Sequence, residues 1–453
     1  MEQNSTNKMG YMPEGKLLLN MSVPLCISML VQALYNVVDS IFVSRISENA
    51  LTAVSLAYPI QMLIVAVSVG TGVGFNSLIS RKLGERRINE AEEAANNGLF
   101  LMFLSGIAFT LFGIFGAKPV FDLFTDDPEI RTLGTTYLSI CCTYSLGVFF
   151  QIGCERVLQS QGQNTAAMTM QLIGAIFNII FDPILIFGLF GFPEMGIAGA
   201  AWATVGGQIL SMICCFVVLY RGKFEVKPRI KGFRPNGAVI AKIYQVGVPS
   251  IIMQAIGTVM NLCMNALLIT YSTTAVAVFG AYFKVQSIVF MPVFGMTNAS
   301  MSIMAFNYGA KKADRLMRTW RLTLYAALTM MTVGLIVFQL IPETILGLFD
   351  ASPEMLAIGV PAFRIMCIGW VFAAGGITNS TLFQALGRGT YSMIVSLIRE
   401  LIVLVPVAFL FSAIFGTLYS IWWALPIGSL FSLLSSILFF SVTYKKQIKP
   451  LKA

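Results

Sequence analysis

Residues 23–46 read VPLCISMLVQALYNVVDSIFVSRI. A helix that crosses a bilayer needs about twenty predominantly apolar residues, and this run supplies them. It opens on a proline, Pro24, and carries one carboxylate, Asp39, within it. Moved along the chain by 225 positions, the same framework returns. Val23-Pro24 falls on Val248-Pro249, Asn36 on Asn261, Ala50 on Ala275, Gln61 on Gln286, Gly70 on Gly295 and Ser77 on Ser302. GERR (84–87) falls on GAKK (309–312). LF-x-x-x-PE recurs from Leu123–Glu129 to Leu348–Glu354, and Q-x-x-G-x-x-T from Gln159–Thr165 to Gln384–Thr390. One offset held from residue 23 to residue 165 marks a duplication.

Outward from that stretch, twelve apolar runs are predicted to span: 17–44, 50–80, 94–117, 131–158, 163–188, 194–221, 238–270, 275–306, 318–341, 355–384, 389–416 and 417–444. Several exceed one bilayer thickness and call for tilt. The fold class expected is an all-α polytopic membrane protein, twelve transmembrane helices in two pseudo-symmetric six-helix bundles. Six is even, so the halves share one orientation, the parallel arrangement of some secondary transporters, whose sites lie near the repeat interface. The expected domains are an N-terminal lobe (1–220), a basic linker (221–242) and a C-terminal lobe (243–453). No filter-like loop or recurring ring of charges suggests a channel.

Composition agrees. Of 453 residues 57% are apolar and 11% charged, against roughly 25% charged in a soluble domain. The net charge of +9 would suit nucleic acid only if it formed one exposed face. Sorted by alternate connections it does not. Lys8, Lys16, the four bases of RKLGERR, the segment Arg221 to Lys242, the cluster Lys311 to Arg321, Arg388 and the tail Lys445 to Lys452 put 23 bases on the side of the termini. Arg45, Lys118 and Arg131 put 3 on the other, beside Asp126, Asp127, Glu129, Asp350 and Glu354. By the positive-inside rule both termini are cytoplasmic. The basic belt faces anionic lipid rather than nucleic acid. The expected location is the cell inner (plasma) membrane, multi-pass. The first apolar segment is too long for a cleavable signal.

Histidine is absent, which removes the commonest general base and metal ligand. The eight cysteines lie in apolar runs without metal-ligand spacing and read as small buried hydrophobes. No enzyme, metal site or cofactor is expected.

A charge at mid-membrane costs about 2.5–3.5 kcal/mol on insertion scales and requires a partner, a cavity or a function. Eight residues qualify: Asp39, Glu155, Arg156, Asp182, Lys284, Arg364, Arg399 and Glu400. At 1.5 Å per residue, Asp39 and Asp182 both sit roughly 8–9 Å below the outer surface. Gln32, Tyr35 and Asp39 share one face of span one, and Asn178 and Asp182 one face of span five. Their repeat mates are apolar: Met264 for Asp39, Val407 for Asp182, Val403 for Asn178. The carboxylates therefore belong to one half alone, either as a proton or cation site or as a hydrogen-bonded pair that pins span one to span five. Lys284 is a counter-ion in the cavity or a structural partner. Pro24, matched by Pro249, removes a backbone hydrogen bond and is a shared bend or a hinge coupled to Asp39. Glu400 is the second candidate for a proton.

VPLCISMLVQALYNVVDSIFVSRI, GTGVGFNSLISRKLGERR, the Q-x-x-G-x-x-T stretch and AYFKVQSIVFMPVFGMTNASMSIMAFNYGAKK together resemble the multidrug and toxic compound extrusion (MATE) transporters, over nearly the whole chain. The resemblance implies export of bulky lipophilic, often cationic compounds against an inward H+ or Na+ gradient by alternating access. It further implies a DinF-type site of Asp39 and Asp182, with Gln32, Tyr35, Tyr137 and Asn178 as neighbours; Lys284, from its place in span eight rather than from the resemblance, is a further candidate for substrate binding. The sodium-coupled branch with acids on spans seven and ten has no match here. The coupling ion stays open between H+ and Na+, and the transporter is expected to work as a monomer. The alternative is a flippase or exporter of a lipid-linked or polysaccharide precursor, for which a more basic cavity and often more than twelve spans are expected.

Overall fold

The computed structural model describes residues 7–229, 232–349 and 351–451. Lys231, Asp350 and Lys452, used above to assign sidedness, lie outside the described residues. Among the described residues there is no β-strand. Ten helices are long and apolar enough to cross a membrane, and two bent pairs bring the spans to twelve.

In order, spans one to three are Glu14–Ser44, Glu48–Gly84 and Ile88–Phe115. Span four is Pro128–Thr143 with Leu146–Ser160, bent by 43°. Spans five to nine are Asn164–Phe187, Ile197–Arg221, Gly237–Leu268, Thr273–Gly309 and Ala313–Leu340. Span ten, Pro353–Met366 with Gly369–Ala385, bends by 44°. Spans eleven and twelve are Gly389–Phe415 and Leu418–Leu451, so the break placed near Gly416 stands. Gly416, at φ 61°, closes the eleventh.

The duplication is written into the backbone. Ser47 and Ser272 both cap the next helix, each hydroxyl accepting from the N–H three residues on, Ala50 and Ala275, at 3.0 Å. Such caps satisfy N–H groups that a helix start leaves unpaired. Gly162 and Gly387 both reach φ 80°, the left-handed turn that glycine alone enters without strain. Even Arg86 and Lys311 match there, at φ 61° and 56°.

The chain divides into two compact units, Ile27–Ile251 and the described part of Met1–Cys26 with Ile252–Ala453. These cuts fall elsewhere than 220 and 243. Each lies inside a continuous helix, two residues after Pro24 and two after Pro249. Local packing explains both. A Cβ on Gly70 would stand 2.7 Å from the Ile251 backbone nitrogen, and one on Gly295 would stand 2.8 Å from that of Cys26. The Cys26 thiol also donates to the Pro292 carbonyl at 3.1 Å. Small residues let transmembrane helices approach this closely.

The central basic segment is tied to the first of these units. Gln161 exchanges two hydrogen bonds with the Val226 backbone, at 2.8 and 3.2 Å. Asn236 donates to Glu93 at 2.7 Å and to Asn97 at 2.9 Å.

Overpacking a tight contact costs about 1–3 kcal/mol. Gly70→Ala and Gly295→Ala are each expected to lower stability by that amount. Gly280→Ala, with nothing within 4 Å of its new methyl, should leave it unchanged or slightly raised. Thermal unfolding in detergent by intrinsic fluorescence checks the comparison, and equal melting of all three variants would refute it.

Candidate functional site

Span one presents its residues unequally. Leu34 and Val37 are each 57% exposed, whereas Gln32, Tyr35 and Asp39 are partly covered on the opposite face. On span five Asn178 and Asp182 are buried, Asp182 completely. The i, i+4 spacing allows Asn178 Nδ2 to donate to Asp182 Oδ1, at 3.4 Å. The same amide reaches Thr204 Oγ1 on span six at 3.2 Å.

The structure brings the two carboxylates together. Asp39 and Asp182 lie within hydrogen-bond reach of each other. Neither carboxylate has a hydrogen to donate, so a bond between them requires one proton. The phenols of Tyr35 and Tyr137 are near enough to interact with both acids. Tyr137, from span four, accepts a hydrogen bond from Gln61 Nε2 of span two at 3.1 Å. Gln32 Oε1 accepts from Gln171 Nε2 of span five at 3.0 Å.

Three oxygens of the cluster, Asp39 Oδ1, Asp182 Oδ2 and Asn178 Oδ1, are buried without a hydrogen-bond partner among the described residues. Buried acceptors without donors are expensive. A site rich in carboxylate and amide oxygen suits a proton or a small hard cation. No Lys or Arg forms an ion pair with either acid among the described residues.

The cluster lies wholly within Ile27–Ile251. Lys284 lies in the other compact unit, exposed on span eight, and its Nζ makes no hydrogen bond or ion pair among the described residues. Pro24 likewise belongs to the other unit, and the helix runs through it without interruption. Of the remaining membrane charges, Glu155 accepts from Gln151 at 3.1 Å and Arg156 donates to Gln159 at 3.1 Å.

Sequence reasoning missed Gln61 and Thr204 as partners of this cluster, and Gln171 as the partner of Gln32. Gln61 was visible as one of the repeat pairs. Sharing a position with Gln286 marked it as framework, and its phenol partner became evident only in three dimensions.

A duplicated set of six spans, with a carboxylate pair in one half, defines a polytopic transport protein built on two related helical bundles. The MatE family profile matches residues 24–184 and 249–410, and the chain belongs to that family of transporters, whose members are not enzymes. It is 27% identical over 436 residues to the FAD transporter of Shewanella oneidensis, covering 92% of each chain. It is 23% identical over 431 residues to the multidrug export protein MepA of Staphylococcus aureus, covering 94% of this chain and 93% of that one. Among solved structures, one described as the outward-facing conformation of a multidrug resistance MATE family transporter superposes with a TM-score of 0.92 at 25% identity, covering 100% of both chains. A MATE crystal structure in complex with MaL6 gives the same score and identity over 99% of this chain and 100% of that one.

Asn178 bridges the buried Asp182 carboxylate and the half-buried Thr204 hydroxyl. Asn178→Ala strands both, and leaving such groups unsatisfied costs about 1–3 kcal/mol. The variant is expected to unfold at lower temperature in detergent, with Thr204→Ala less affected. A melting curve identical to wild type would remove the bridge.

Proposed function

We propose that the chain is a secondary active multidrug efflux antiporter, exporting lipophilic, often cationic compounds in exchange for H+ or Na+ by alternating access. The observation that carries this reading is the Asp39/Asp182 pair, two carboxyls within hydrogen-bond reach in a membrane-spanning unit. Proton or Na+ uptake neutralises the pair, and its release restores a negative site for the next cation. One charge moved through 100 mV supplies about 2.3 kcal/mol, enough for roughly a fiftyfold gradient. On this reading Asn178 orients Asp182, while Gln32, Tyr35 and Tyr137 contact substrate. Pro24 is the hinge whose bending follows the charge on Asp39. The exposed ammonium of Lys284 meets anionic portions of cargo. The protein works as a monomer in the plasma membrane, both termini cytoplasmic.

The MepA relative supports a drug substrate, and the Shewanella FAD transporter supports a second one, a flavin dinucleotide. The lipid-linked precursor reading gains nothing from the relatives named above.

Proteoliposomes with an imposed pH or Na+ gradient, scored with ethidium and with FAD, test the proposal. Wild type is expected to move ethidium under at least one gradient. Asp39→Asn and Asp182→Asn, at matched protein levels, are expected to lose at least nine-tenths of that flux. Uptake of FAD alone would replace the drug reading by the second. Undiminished transport in both variants would overturn the coupling site.

A further inference from the structure

The residues ahead of span one are bound down at almost every carbonyl. Asn7 Oδ1 accepts from the Met9 N–H at 3.1 Å and starts the short helix Lys8–Tyr11. Met9 is fully buried. Its carbonyl accepts from Asn307 Nδ2 at 3.2 Å and from Arg315 Nη2 at 3.4 Å. The Met12 carbonyl accepts from the same arginine nitrogen at 2.6 Å, and the Gly10 carbonyl from Lys312 Nζ at 2.8 Å. Asn307 lies in the last turn of span eight, Lys312 precedes span nine, and Arg315 lies in its first turn.

Glu14, the first residue of span one, completes the contact. Its carboxylate stands 3.5 Å from Arg315 Nη1 and 3.7 Å from Arg318 Nη1, and the residue is only 8% exposed. Arg315 is the hub, since its Nε also donates to Asn307 Oδ1 at 3.3 Å. One planar guanidinium thus serves two carbonyls, an amide and a carboxylate. Charge-assisted bonds of this kind are roughly twice as strong as neutral ones, and the preorganised fork loses little freedom for each bond it forms.

The helix that follows is held along its length. Leu17, Met21 and Leu25, four residues apart and so on one face, are all buried. At its far end Cys26 meets Gly295 and the Pro292 carbonyl. Glu14–Cys26 is therefore gripped at both ends by the compact unit to which it belongs, and the helix passes into the other unit at Ile27.

The arrangement recurs ahead of span seven with its chemistry reversed. Asn236, the repeat mate of Tyr11, donates to Glu93 at 2.7 Å, and Glu93 is the mate of Arg318. Span three offers a carboxylate to the incoming segment, where span nine offers a guanidinium. A contact that keeps its place while its donor and acceptor change sides is kept for what it holds. The reversal also makes the two anchors unlike, because at the places of Arg315 and Arg318 the first half carries Glu90 and Glu93, which would repel Glu14.

We propose that residues 7–14 form a strap, with Arg315 as its clasp, that fixes the leading arm of span one, Glu14–Cys26, to its unit and so confines any yielding of span one to the boundary after Cys26. Neither ion nor cargo takes part, so the strap stands apart from the antiporter reading. On that reading it supplies the held arm against which a hinge at Pro24 works.

Hydrogen–deuterium exchange of the purified full chain in detergent, read by mass spectrometry, tests the strap, because amide exchange reports local opening segment by segment. Arg315→Met keeps the aliphatic stem and removes the fork. It is expected to speed exchange across 14–26 at least tenfold while changing 27–44 less than twofold. Glu14→Gln, which leaves the carbonyl contacts in place, should speed the same stretch at least threefold, and it carries the test should Arg315→Met fail to fold. Arg321→Met, which removes an exposed base of span nine outside the strap's contacts, should change neither stretch. Unaltered exchange across 14–26 in the folded strap variants would overturn the proposal. So would equal acceleration across 14–26 and 27–44, which would make Arg315 a general stabiliser rather than a clasp.

Discussion

A polar group inside hydrocarbon has no water to turn to, so its partners must come from the protein or from what the protein binds. That constraint organises this chain. In the described spans the backbone groups are paired mainly within helices. Most side-chain hydroxyls in the spans return to carbonyls three or four residues back, as Ser68 does to Ile64 and Val65 and Thr323 to Thr319. Among the buried side-chain atoms left without a hydrogen-bond partner are three oxygens of one cluster, on Asp39, Asp182 and Asn178, and in the other unit one oxygen each on Glu400 and Gln286.

The duplication sets where such groups stand, and divergence sets what they are. Tyr35 and Met260 are repeat mates, as are Cys141 and Met366, and Gln61 and Gln286. The first of each pair lies at the Asp39/Asp182 cluster, the second lines a cavity beside Glu400. The same frame therefore carries two chemistries: carboxylates from spans one and five in one unit, and an ion pair from span eleven in the other.

The fold was legible because its signals are long and redundant. Twelve apolar runs and one offset require no knowledge of packing, and the span from residue 389 to 416 became Gly389–Phe415. The meeting of Asp39 and Asp182 was legible too, from depth and one-sidedness. The π turn of Ile398–Leu404 was not: nothing in IRELIVL marks it, and in the structure Gly428 comes close to it, so that a Cβ added there would stand 2.7 Å from the Arg399 carbonyl. Nor were the bends of spans four and ten, which fall at Tyr144-Ser145 and Cys367-Ile368 without a proline at the break. The division after Cys26 and Ile251 left no mark in hydropathy, because it cuts helices that continue through it.

The two groups of acceptors differ in one respect that bears on transport. Glu400 carries its own counter-charge in Arg399. Asp39 and Asp182 have no such partner among the described residues, and their combined charge must change whenever a proton or cation arrives. A membrane potential does work only on a step in which net charge moves across the field. On the proposed reading, energy coupling therefore belongs to the Asp39/Asp182 unit. Substitutions at a few equivalent positions of a duplicated scaffold thus leave a carboxylate pair without an ion-pair partner among the described residues in one unit and a carboxylate paired with its neighbouring arginine in the other.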